Sequence, residues 1–556
     1  MTLPPTDPML LPSIRDGYRL LHQGHYQQAG RLAERLVATN NQNPHVLAFA
    51  AEACMACGDA RKSLRLIDQA AATTADKPFL LLKKARLLAL DHQRQAFIDQ
   101  LDHVLEHAQD NPILLWQSAS LCHHNQLHQR AIDLFEQASR LMDPPPGLLY
   151  ELAMARHFRG DAPGAEQALE CLLRATPHAG PALYLRSTLK RQSLQDNHIR
   201  NLEQRLATLP AASTDRPGIL YALAKELEDC GDHTRSFAAL TLATREKRAS
   251  YTYDIRSETA ALAEIAQAYT QEQCGNGTGH TDTGPIFIVG MPRSGTTLCE
   301  RLLCGTGQAV AAGELHVFGN ELTRHTIAAA SRTSQPNNAS ASLHIDFRAL
   351  GQRYVHAARQ IANGSKYFVD KLPGNFMFCG MIARALPQAR IIHVTRDPLD
   401  NCYAIHKTQF FDGCGYACDL TELGDYFIAY RRLMDHWQNV MPGKILEVPY
   451  EDLVRAPRDQ SRRMYAWCGL DWNDKALLPP PPSATFSTAS AAQVREPIHQ
   501  RSLAISRNHL QQLSGLEARL AAAGIHRHCP SHRPLQPGQA TADMESRTKP
   551  SPGATA

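Results

Sequence analysis

Residues 285–303 read PIFIVGMPRSGTTLCERLL, and the fold of the second half of the chain turns on them. The run 286–289 is short, continuous and apolar, as suits a strand buried on both faces of a parallel sheet. GMPRSGTT, residues 290–297, then crowds glycine and hydroxyls into a tight turn, and 298–303 resumes apolar residues at helical spacing. Strand, turn and helix start aim backbone N–H groups and the positive end of the helix dipole at one point, where an anion belongs. Ser294, Thr296 and Thr297 add hydroxyl donors, Gly290 and Gly295 permit close backbone approach, and Arg293 offers a fork that matches an oxyanion. The general nucleotide loop GxxxxGK[ST] has lysine where this chain has Thr296. That lysine grips a β/γ-phosphate pair, so its absence argues against a kinase or nucleotide triphosphatase.

Upstream, proline recurs at Pro44, Pro78, Pro112 and Pro146, each step being 34 residues. Gly24, Gly58, His92, Gln126 and Gly160 keep the same interval, and Ala29, Ser63, Phe97, Ala131 and Ala165 follow five residues behind. Small residues where helices approach, then apolar residues at helical spacing, describe a repeated helical hairpin. Proline suits the first turn of the next unit. The pattern over residues 14–180 resembles the tetratricopeptide repeat. A further unit at 220–248 carries Gly231, with a weaker helical segment at 185–215 before it. Such repeats stack into a solenoid whose concave face commonly holds a partner, so a protein partner there is one expectation and a structural stalk the other.

The helical period stops at QEQCGNGTGHTDTG, residues 271–284, a linker composition. From about residue 530 the sequence is rich in Pro, Ser, Ala and Gly and reads as a disordered tail. Four segments are therefore expected: helical repeats over 14–250, a helical connector and linker over 251–284, an α/β domain over 285–529, and the tail over 530–556. A chain of 556 residues is too long for one core, and about three or four domain-sized units are expected from length alone. A net charge of +4 without a Lys/Arg run gives no basis for a nucleic-acid surface. No stretch approaches ~18 uninterrupted apolar residues, so no membrane span is expected. The first residues lack the basic flank and apolar core of a secretion signal, and the 14 cysteines are scattered. Cys54 and Cys57 form a CxxC with no second pair at zinc-ligand spacing, which reads as helix packing. The expected setting is reduced and cytoplasmic.

PRSGTT directly after FIVG resembles the 5′-phosphosulfate loop of the sulfotransferases, in particular the branch of the protein-tyrosine sulfotransferases. With helical repeats in front, the chain is similar to the tetratricopeptide-repeat sulfotransferases. The resemblance implies an all-α solenoid followed by a P-loop-like α/β parallel-sheet domain. The implied donor is 3′-phosphoadenosine 5′-phosphosulfate (PAPS), which has no γ-phosphate for a lysine to hold. Arg293, Ser294, Gly295, Thr296 and Thr297 would then bind the 5′-phosphate and sulfate.

Later motifs follow in the family's order. Glu314, in AAGELHVF, stands in the Gly-Glu context of the family's catalytic base. Chemically, a carboxylate within reach can take the proton of an attacking hydroxyl. Lys371, in YFVDKLPGNF, resembles the lysine that neutralises charge on the transferring group and its leaving oxygen. Arg396, in HVTRDPLD, resembles the residue that grips the 3′-phosphate. Tyr450, in VPYEDL, would lie against the nucleotide; Ser490, Gln493 and Val494, in SAAQVREP, match S-x-x-Q-V-x-x-P, with Ser490 near the catalytic centre and Gln493 and Val494 at the donor. Two positions depart from the family. Ala404 stands where a serine is usual, leaving His406 or Lys407 as substitutes, and Ile505-Ser506 stands where a basic residue and tryptophan are usual, leaving Arg501 or Arg507. No metal-ligand motif accompanies these elements, so transfer without a metal is expected. The acceptor stays open between a peptide, a protein and a small hydroxyl compound. The rival readings are a non-catalytic repeat scaffold beside a degenerate domain and, below it, a kinase or triphosphatase.

Overall fold

The computed structural model describes residues 10–527, apart from 74–76, 109, 276, 331–336, 412, 482–483 and 489. The expected tail lies outside the described residues. Each 34-residue step delivers two antiparallel helices, such as Pro44–Ala56 with Ala60–Ala72 and Pro112–His124 with His128–Leu141. The recurring prolines occupy the first turn of their helices, and where Asn43 and Asn111 precede them the side-chain oxygen accepts from a first-turn N–H. Ala29, Ala131 and Ala165 are fully buried where paired helices touch. Ser63 stands in the same series, and its buried hydroxyl donates to the Ala51 carbonyl at 2.7 Å. Ser236, five residues after Gly231, repeats that bond to the Ala224 carbonyl, so the 220–248 segment is a genuine further unit.

The glycine series has its own cause. Gly24, Gly58, Gly160 and Gly231 turn between helices with φ of 76°, 89°, 85° and 86°, the left-handed region. His92 and Gln126 hold the same turn at φ 59° and 63° without being glycine. Both side chains face the second half of the chain: His92 Nε2 lies 3.7 Å from Glu321, and Gln126 lies against Gly313.

That second half is built on five parallel strands: β1 (Pro285–Gly290), β2 (Ala309–Gly313), β3 (Tyr367–Asp370), β4 (Arg390–Thr395) and β5 (Ile445–Pro449). Their order is β2-β3-β1-β4-β5, with β1 at the centre and every one of its residues buried. Ile286 and Ile288 pack on one face with Cys299, Leu302 and Met464. Phe287 points to the other face, where its ring stacks on Tyr354 with centroids 5.3 Å apart. The strand–helix alternation and the all-parallel pairing are those of an open α/β sheet, whose ligands gather at the carboxyl ends of the strands.

Solenoid and sheet are tied along the turns of the repeats. Arg324 and Arg353 reach Asp91 at 3.2 Å each, and Glu228 accepts from Tyr403 at 2.8 Å and Lys407 at 2.7 Å. Arg248 makes two 2.8 Å bonds to Glu422, a bidentate fork. Among the described residues no helix is long and apolar enough to cross a membrane.

Candidate active site

The loop after β1 is shaped by backbone that few residues tolerate. Arg293 has φ 63° and Gly295 φ 106°, and a Cβ on Gly295 would stand 2.3 Å from the Tyr450 ring. Gly295 is thus required twice, for its dihedral and for the aromatic packed on it. The helix Thr296–Cys304 starts immediately afterwards, with Ser294, Thr296 and Thr297 all buried at its mouth.

Neighbouring turns hold this loop from behind. Asn401 donates to the Pro292 carbonyl at 2.8 Å, and Arg396 donates to the Arg293 carbonyl at 2.9 Å and to the Ser502 carbonyl. Arg-Asp-Pro has a local logic of its own. Asp397 caps the helix Pro398–His406 by accepting from Leu399 and Asp400, Pro398 opens that helix, and Arg396 is left at the strand end. Its guanidinium lies over the Tyr450 ring, 5.0 Å from the centroid, and Glu451 accepts from the Asp397 N–H at 2.9 Å. Ser506 donates twice to the buried Asp400, at 3.0 and 2.6 Å, so the segment around Ile505 is fastened to the same helix.

Arg293 is met by the last of the motifs. One guanidinium nitrogen donates to Ser490 Oγ and another to Gln493 Oε1 at 3.1 Å. Val494 lines the same pocket, its carbonyl accepts from Arg301 at 3.0 Å, and its side chain is buried with Phe486 against Phe158 of the solenoid. Burial lowers the Arg293 pKa, yet an arginine remains charged across any working pH.

Lys371 and Glu314 form an ion pair where β3 and β2 end, and the Lys371 N–H donates to the Gly313 carbonyl at 2.9 Å. Burial pulls the Lys371 pKa down, but Glu314 and Glu300 outweigh it and the net direction is up. The ammonium is therefore held charged. Beneath it lie two more buried carboxyls. Burial pushes Glu300 up to about 7 against the pull of Lys371, and pushes Asp370 up to about 8 despite bonds from Tyr354, Leu315 and Asn375.

A pocket of about 740 Å³ joins Arg293, Gly295, Thr297, Arg396, Tyr450, Ser490, Gln493 and Val494. Glu314 instead lines another cavity, with Lys371 bonded to it. Ser294 Oγ, Thr395 Oγ1 and Arg396 Nε are buried round the loop without a partner among the described residues. Three idle hydrogen-bonding atoms beside a helix start fit an anionic ligand. Thr395 had no motif to announce it. Nor did the far wall of the pocket, which comes from the solenoid through Lys190, Arg191, Lys225 and His233. Ala404 also lines the pocket; Lys407 lies there but is engaged with Glu228, while His406 is buried and bonded to the Ala417 carbonyl at 2.9 Å. Arg501 lines the pocket and Arg507 is exposed.

Residues 285–474 match the model of the Sulfotransferase family, and residues 20–87 match a tetratricopeptide-repeat model. The second half of the chain carries a sulfotransferase domain. The chain has relatives among curated proteins. An uncharacterized protein of Aquifex aeolicus is 28% identical over 366 residues, 64% of this chain and 48% of that protein. The omega-hydroxy-beta-dihydromenaquinone-9 sulfotransferase of Mycobacterium tuberculosis is 32% identical over 117 residues, 19% of this chain and 29% of that one. The protein-tyrosine sulfotransferase of Drosophila melanogaster is 21% identical over 205 residues, 34% of this chain and 39% of that one. The matched stretches span less than half the length of each of these relatives.

Proposed function

We propose that the chain transfers a sulfuryl group from PAPS to an acceptor hydroxyl. The reading is carried by the helix start whose buried donors lack partners, with Lys371, the partner of Glu314, close enough to feel the charge of Glu300 on that same helix. PAPS would bring a sulfuryl group joined to a phosphate that can leave. The 5′-phosphate and sulfate would be held by the amides of Gly295, Thr296 and Thr297, the hydroxyls of Ser294, Thr296 and Thr297, and Arg293. Arg396 and Thr395 would meet the rest of the nucleotide, with Tyr450 against its ring system and Gln493 and Ser490 fixing the Arg293 fork.

Glu314 takes the proton as the acceptor oxygen bonds to sulfur. Lys371 and Arg293 neutralise the charge left on the bridging oxygen as its bond to sulfur breaks. The salt bridge to the ammonium aims the Glu314 carboxylate, and positioning with electrostatics supplies most of the rate. The acceptor hydroxyl belongs to a peptide, a protein or a small molecule.

A scaffold without catalysis draws on Ala404, which removes a hydroxyl from the pocket, and on Ile505. The intact Glu314, Lys371, Arg293 and Arg396 favour the enzyme. The test is release of 3′-phosphoadenosine 5′-phosphate (PAP) from PAPS by the full chain, offered a panel of phenols, alcohols and tyrosine peptides. Turnover that disappears in both Glu314→Gln and Lys371→Met supports the assignment. Equal turnover in Glu314→Gln removes the base.

A further inference from the structure

Glu314 opens into a second cavity, of about 1000 Å³, which the phosphate loop does not line. Its floor is the segment Glu314 to Val317 with Asn320; its walls are the solenoid helices Lys77–Leu90, Arg94–Glu106 and Pro112–His124. Phe79, Leu82, Phe97 and Trp116 give the wall an apolar and aromatic face. Leu90 and Ile113, also in the wall, are 44% and 43% exposed.

The charges in the wall are unequal. Lys83 is paired with Glu52, and Glu151 accepts from Trp116 and Ser120. Arg86 and Arg94 have no carboxylate partner among the described residues. Among the described residues the Arg94 guanidinium donates only to the Asn125 carbonyl, at 3.1 Å, and burial lowers its pKa. A partly desolvated cation without a counter-charge is costly, and a bound anion would offset that cost.

Gln126 is the third sign. It occupies a turn where four other repeats have glycine, at φ 63°. Its carboxamide has no partner among the described residues and lies in the cavity against Gly313, the residue before Glu314. Strain of this kind persists where the side chain it preserves is used.

We infer that this cavity is the acceptor site and that its acceptor is an anionic amphiphile. Its hydroxyl meets Glu314 and the Gln126 carboxamide, its apolar or aromatic body lies along Phe79, Trp116 and Ile113, and its acidic group faces Arg86 and Arg94. Phe79, Leu82 and Ile113 offer nothing to the main-chain groups a peptide would bring, and a mainly apolar cavity of this size with a few placed polar groups suits a small molecule. The assignment rests on the sulfuryl-transfer reading, and it gives the solenoid the work of choosing the substrate.

The test titrates the full chain calorimetrically with ω-hydroxyhexadecanoic acid, and separately with PAP. The hydroxy acid should bind one to one, and Arg86→Glu and Ile113→Glu should each weaken it by about tenfold or more while leaving PAP affinity unchanged. Both substitutions fall on exposed side chains, so the fold is retained. A hydroxy acid that does not saturate, affinity indifferent to both substitutions, or saturable binding of a tyrosine peptide in its place overturns the amphiphile site. If PAP binds in that case, the donor reading stands alone. If the hydroxy acid binds and PAP does not, the acceptor role falls with the sulfuryl-transfer reading.

Discussion

Glu314 and Lys371 bond to each other, and the chemistry proposed for them differs in kind. The carboxylate is one-third exposed at 32%, open to an acceptor, while the lysine is buried at 3%. Glu314→Gln keeps the shape and removes the base, so kcat should fall by about 10²–10⁴-fold with PAP affinity retained, measured by steady-state kinetics and titration. Glu300 makes a different prediction. Its pKa rises from 4.5 unfolded to about 7 folded, so the folded state binds that proton more tightly and gains most below pH 4.5. That gain is lost as pH climbs through 7, a decline of about 3 kcal/mol from this group alone. Asp370 acts in the same sense up to about 8. In Glu300→Gln the fall in urea midpoint between pH 4.5 and 7 should shrink accordingly. Lys371 and Arg396 were legible because each follows a recognisable strand, and Glu314 through its Gly-Glu context alone. Thr395 and Gln126 were not: one is an ordinary strand residue, and the other's importance lies in a dihedral that sequence shows only as a missing glycine.

At the scale of the element, the phosphate loop was readable because its parts constrain one another. A strand buried on both faces, two glycines and a helix start leave few alternatives. Gly295→Ala should therefore be severe, since its Cβ would meet the Tyr450 ring at 2.3 Å on a backbone with φ 106°. Loss of PAP binding together with a lowered Tm is the expected result. The turn at Gln126 points the other way. Gln126→Gly relieves a left-handed non-glycine residue and should raise stability by about 1 kcal/mol while lowering acceptor turnover. A variant that was more stable and equally active would show that the carboxamide is idle. Strand β2 escaped the sequence because Ala309–Gly313 has one β-branched residue and lies at the sheet edge, with only two of its five residues buried. The repeats were legible down to their prolines, since a 34-residue rhythm survives the loss of any single position.

On the scale of the whole molecule, the solenoid is part of the site. It walls the pocket proposed for the donor through Lys190, Arg191, Lys225 and His233, and it forms most of the cavity that contains Glu314. No motif foretold this, because docking along the repeat turns depends on scattered pairs. Glu321 is one of them: 1% exposed, it bonds Arg353 at 2.6 Å and Arg324 at 3.1 Å, and both arginines reach Asp91 of the solenoid. Glu321→Ala leaves those cations only Asp91 as carboxylate partner among the described residues and opens a buried gap, and should cost about 1–3 kcal/mol in denaturant unfolding. Because the shared apolar core runs from solenoid to sheet, the wild-type chain should melt in one transition. A loop that holds a nucleotide marked by its 3′-phosphate should distinguish PAP from ADP and AMP in calorimetric titration of the full chain. One-to-one PAP binding is expected, with ADP and AMP weaker by about tenfold or more. Equal affinity for all three, or no binding of PAP, would contradict it.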